Sequence, residues 1–75
     1  MPMTFGEKIR MLRESIELNQ TELGKSLGIT QRKLSYIECG KCEPNLADII
    51  AFSTFFNVSS DYLLGLPNGM KYPKR

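Results

Sequence analysis

The segment from Leu18 to Gly40, LNQTELGKSLGITQRKLSYIECG, decides the fold. Its apolar residues recur at spacings of three and four, without the alternation of a strand, and so predict helices. Asn19 caps the first of these, with Glu22 three residues on, and Gly28 supplies a left-handed stop. Thr30 caps the next, which carries Leu34 and Ile37 inward and is closed by Gly40. Only Gly28, Ile29 and Thr30 lie between the two, so the helices are joined by a tight turn.

The same punctuation continues on both sides. Upstream, Thr4 and Glu7 form a T-x-x-E box that opens a first helix over about Phe5–Leu18, with Phe5, Ile9, Leu12 and Ile16 on one stripe. The second and third helices are then about Gln20–Leu27 and Gln31–Cys39. Downstream, Pro44 separates a fourth helix, about Leu46–Phe56, with Asn45 as cap and Asp48 at its third position. Leu46, Ile49, Ile50, Phe52 and Phe56 are expected to supply most of the core. A short fifth helix, Ser60–Leu64, follows a Ser59 cap and stops at Gly65. The expectation is an all-α, compact five-helix domain over residues 1–65. The remainder, 66–75, carries two prolines, a glycine and three basic residues and reads as a flexible tail.

Bulk properties narrow the class. At 75 residues there is room for one small domain, and 41% apolar with 24% charged residues favours an ordered globular chain. No apolar run approaches the roughly 18 residues of a membrane span, and the opening MPMTFGEKIR lacks the zones of a signal peptide. A cytoplasmic protein with no membrane partner is expected.

Cys39 and Cys42 form a C-x-x-C, a spacing that can hold a metal or run thiol-disulfide exchange. A zinc site needs three or four ligands, and the sequence has no histidine and no third cysteine. Two chains would be needed to gather four thiolates. A redox pair usually sits at a helix N-terminus, where the dipole favours thiolate, whereas this one follows a helix C-terminus. No metal, cofactor or small-molecule ligand is expected, and a thiol enzyme would lack a base.

Charge placement is more informative. The first, second and fourth helices each set an acid, Glu7, Glu22 or Asp48, three residues past the cap, where it complements the dipole. The third opens instead with Gln31-Arg32-Lys33, two cations against the positive end, at a cost of about 0.3–1 kcal/mol each where exposed. An external polyanion would reverse that penalty, and DNA phosphate is the obvious one. From Lys25 to Lys41 the chain holds Lys25, Arg32, Lys33 and Lys41 against Glu38 alone, although the whole is only +2. Basic character is therefore focused on this segment.

Over about residues 4–65 the sequence closely resembles the DNA-binding domain of lambda-repressor and Cro-type transcriptional regulators. The resemblance is carried by Asn19-Gln20-x-Glu22-Leu23, Leu27-Gly28-Ile29-Thr30, Ile37-Glu38-x-Gly40-Lys41 and Asp61-Tyr62-Leu63-Leu64-Gly65, in that order. It implies a helix-turn-helix formed by helices two and three, with the third in the DNA major groove. Gln31, Arg32 and Tyr36 would then face bases. Asn19, Gln20, Thr30, Lys33, Ser35 and Lys41 would contact the backbone, and Arg13 would form a structural ion pair with Glu38. That pairing would consume the only acid in the basic segment and leave the binding face without an opposing charge. Such proteins usually bind as twofold dimers on inverted repeats, since one recognition helix reads only about four base pairs. Phe55, Val58, Tyr62, Leu63 and Leu66 form the expected dimer patch.

The resemblance thus implies a bacterial or phage-encoded, sequence-specific, double-stranded-DNA-binding regulator, most readily a homodimeric repressor. A restriction-modification controller or an antitoxin-type autorepressor shares its motifs. From another class, a protein-interaction module of the same fold without DNA binding is the alternative. That module would be expected to lose basic residues around the turn, and Gln20, Gln31, Arg32, Lys33 and Lys41 are all present.

Overall fold

A computed structural model describes residues 3–66 and is all-α among them, with five helices. These are α1 Phe5–Ser15, α2 Gln20–Leu27, α3 Gln31–Glu38, α4 Leu46–Phe56 and α5 Ser60–Leu64. Local chemistry sets their starts. Thr4, Asn19 and Asn45 each form a complete capping box, with Glu7, Glu22 and Asp48 respectively. Thr30 and Ser59 cap with the hydroxyl alone. The ends at Gly28, Asn57 and Gly65 adopt the left-handed conformation, with φ of 73°, 54° and 73°.

Two boundaries are shorter than expected. α1 stops at Ser15 rather than Leu18, because Glu17 turns to φ 59° and the Arg13 guanidinium captures the Leu18 carbonyl at 2.9 Å. Cys39 is the cap of α3, not its last helical residue. Of the tail expected over 66–75, only Leu66 falls within the described residues; its N–H donates to the Asp61 carbonyl.

Every helix contributes to one core of Ile9, Leu23, Leu34, Ile37, Phe52 and Leu63, all essentially inaccessible. The expectation for α4 needs correction. Phe52 is buried, Phe56 packs against the core and Ile49 is half-buried, but Leu46 and Ile50 are 73% and 55% exposed. α4 is apolar around most of its circumference, and a helix packed on one side leaves the other in water. Ile16 is likewise exposed, since it lies beyond the end of α1.

Close backbone approach fixes how α1 and α2 meet α3. A Cβ at Gly6 would collide with the carbonyl oxygens of Ile37 and Glu38, where α1 crosses the end of α3. At Gly24 a Cβ would lie 2.8 Å from the Ile29 oxygen, inside the turn. The Ile29 N–H closes that turn on the Gly24 carbonyl at 2.9 Å.

Candidate nucleic-acid interface

The turn Gly28–Thr30 joins the carboxyl end of α2 to the amino end of α3, and the first residues of the two helices meet through their side chains, Gln31 Nε2 donating to Gln20 Oε1. The first backbone N–H groups of each helix have no intrahelical acceptor and are available to an anion. The Asn19 and Thr30 side chains accept from Glu22 N at 2.8 Å and Lys33 N at 3.0 Å, satisfying one donor per helix.

A connected series of contacts runs from the interior to this face. Arg13 and Glu38 form a bidentate pair, 2.7 Å from Nε to Oε2 and 3.0 Å from Nη2 to Oε1. Their side chains are 11% and 2% exposed. The Glu38 hydrogen bond raises the Arg13 pKa above its ordinary value. Glu38 Oε1 also accepts from Gln20 Nε2 at 3.1 Å, and Gln20 Oε1 accepts from Gln31 Nε2 at 2.6 Å. The Gln20 amide is thereby fixed at both ends. Gln31, whose Nε2 donates to Gln20, keeps its carbonyl oxygen and second amide hydrogen for another partner.

Arg32 and Tyr36 are exposed, one turn apart on α3. Arg32 has no acidic partner among the described residues. The Tyr36 carbonyl accepts from Lys41 N at 2.8 Å and Cys42 N at 3.3 Å, which ties the exposed Lys41 to the last turn of α3. Ser35 is half-buried. Cys39 and Cys42 are free thiols that flank Gly40, whose φ is 78°.

Lys33 is placed differently from the expectation. Its ammonium is 3.1 Å from both Asp48 oxygens, at 34% exposure, instead of standing free beside a DNA backbone. Asp48 is only 6% exposed and also accepts from Asn45 N at 3.0 Å within its own capping box. The reading that this face carries no opposing charge is therefore corrected. One of the two cations at the start of α3 is neutralised internally, and the electrostatic mismatch rests on Arg32. Sequence spacing gave no sign of this pair, because Asp48 is fully explained as a helix-capping acid and lies 15 residues away.

The proposed self-association patch also changes. Phe55, Tyr62 and Leu66 are exposed at 38%, 42% and 43%, and Val58 packs half-buried against the core. Leu63 is 1% exposed and belongs to the core, because α5 turns it inward between the outward Tyr62 and Leu64. Lys8, not singled out in the sequence, donates to the Tyr62 carbonyl at 2.7 Å and lies 5.1 Å from that ring's centroid. It holds α5 against α1.

These features define a class of protein: a five-helix domain with two helix starts facing one way across a three-residue turn. A helix-turn-helix family profile matches residues 9–63, and the chain belongs to that family of DNA-binding transcriptional regulators of Cro/C1 type. Repressor protein C2 of Salmonella phage P22 is 37% identical over 60 residues, covering 80% of this chain and 28% of the repressor. The SPbeta prophage-derived helix-turn-helix regulator YonR of Bacillus subtilis shares 37% over 60 residues, covering 80% and 56%. The crystal structure of the P22 c2 repressor with a synthetic operator superposes with a TM-score of 0.79 at 35% identity, covering 84% of this chain and 96% of that one. The chain thus spans between about a quarter and somewhat over half the length of these curated relatives. No helix among the described residues is long and apolar enough to cross a membrane.

Proposed function

We propose that this chain is a sequence-specific DNA-binding repressor that acts in the bacterial cytoplasm, reading an inverted-repeat operator as a homodimer with α3 in the major groove. The observation that carries the reading is the hydrogen-bonded series from Arg13 through Glu38 and Gln20 to Gln31. It presets the side chain at the first position of α3 without occupying its outward polar atoms. A glutamine so held can accept from an adenine amino group and donate to N7, and each such bidentate pair discriminates by about 1–3 kcal/mol. Arg32 suits guanine in the same way, while Tyr36 offers an aromatic face or a hydroxyl. Asn19, Thr30, Ser35 and Lys41 with the Gln20 backbone N–H serve phosphates, which set register rather than sequence. The P22 c2 repressor, similar over this span, was solved on an operator.

One α3 cannot select a genomic site alone, so the second copy is part of the mechanism. Phe55, Tyr62 and Leu66 supply its contact surface, with Val58 behind them. Selection of binders from random duplexes is expected to return a short inverted repeat. A flat sequence profile with tight self-association would instead favour a protein-interaction module.

A further inference from the structure

Lys33 occupies the third position of α3, where a free ammonium would stand beside any phosphate that approaches the helix start. It is turned instead onto Asp48 at the third position of α4, with both carboxylate oxygens at 3.1 Å. Asp48 is nearly buried, and its other contacts are to its own capping residue, Asn45. The carboxylate therefore lies between the first turns of two helices, α3 and α4, joined to the Lys33 ammonium of one and the Asn45 N–H of the other. A charged group so fully engaged is not released cheaply, because Lys33 leaving for phosphate would strand it.

We propose that Asp48 is a specificity-determining positioning residue that withholds Lys33 from the DNA backbone. This rests on the DNA-binding reading and deepens it. Phosphate contacts raise affinity for all sequences alike, whereas base contacts separate them. By neutralising Lys33 and pinning the first turn of α3 to α4, Asp48 lowers sequence-independent binding. It also fixes the roll of the helix that presents Gln31 and Arg32. Arg32, one residue earlier, is left as the uncompensated cation at this helix start.

The test measures the salt dependence of binding to a selected duplex and to a random one, using wild type, Asp48→Asn and the charge-neutral double variant Lys33→Gln/Asp48→Asn. In the proposed arrangement, Asp48→Asn frees Lys33 for phosphate. Its slope of log K against log salt steepens by about 0.9 per subunit, about 1.8 for the dimer, and random duplex binds more tightly at low salt. The ratio of selected to random affinity falls severalfold. The double variant returns to the wild-type slope. If Lys33 already contacts phosphate in the complex, Asp48→Asn keeps the wild-type slope and the double variant is shallower by about 0.9 per subunit, about 1.8 for the dimer, which overturns the proposal. Should Asp48→Asn fail to fold, the double variant, which keeps the net charge, decides the matter by the same comparison. Absence of duplex binding by wild type overturns the DNA reading itself, a result distinct from either slope.

Discussion

Gly6 is the residue whose role was least visible in the sequence, because nothing local demands glycine in the first turn of a helix. Its reason is tertiary: the Ile37 and Glu38 carbonyls occupy the space of a side chain. Gly6→Ala should therefore cost stability, on the order of 1–3 kcal/mol, despite better helix propensity, as thermal unfolding would measure. Glu7 lies beside it and has an acid-range signature. The Thr4 backbone N–H, 2.8 Å from its carboxylate, and then the Thr4 hydroxyl hold the Glu7 pKa below its ordinary value of 4.5. A depressed carboxylate pKa stabilises fully above the unfolded value and loses that contribution as pH falls through the folded one. The Tm advantage of wild type over Glu7→Gln should accordingly be complete at neutral pH and shrink below about 4.5. Arg13 and Glu38 are 25 residues apart, so periodicity had no means to join them, and only the family resemblance suggested the pair. Arg13→Ala would leave Glu38 buried and unpaired, at a cost of roughly 3–5 kcal/mol in denaturant unfolding.

At the scale of the helix, starts were legible and ends less so. Caps are short-range chemistry, and Thr4, Asn19, Thr30, Asn45 and Ser59 announce all five starts. The end of α1 has neither glycine nor proline, and depends on a guanidinium reaching back to Leu18. The buried face of α4 was read only in part, since a helix apolar nearly all round gives its periodicity little phase: Phe52 and Phe56 face the core as expected, while Leu46 and Ile50 fell on the wet side. In the proposed complex, base and backbone contacts divide by position along α3 and the turn that follows it. Arg32→Ala is expected to relax preference at one position per half-site while leaving the salt slope little changed. Lys41→Ala, beyond the helix end, should weaken all sequences alike and lower the slope by about one. Selection and salt titration of both variants check this division, and equal loss of preference from both would contradict it.

For the whole molecule, the proposed homodimer asks one short segment to serve both the core and the second copy. α5 does so by sending Leu63 inward and Tyr62 outward, with Lys8 bracing the latter. The sequence showed an apolar surplus there but not which side chain faced which way. Tyr62→Asp should weaken self-association at least about tenfold, or 1.4 kcal/mol, in sedimentation, with the fold retained. Leu63→Ala should instead remove about 2–5 kcal/mol of stability.

The series from Arg13 to Gln31 carries a consequence for retargeting. Arg32 and Tyr36 are exposed and form no side-chain ion pair among the described residues, so in the proposed complex new operator preferences can be grafted there at small structural risk. Gln31 is different: exchanging it removes one of the two hydrogen bonds that fix the Gln20 amide, whose other end donates to Glu38. A cassette swap of α3 from another regulator will therefore transplant cleanly only when residues 20 and 31 travel as a matched set.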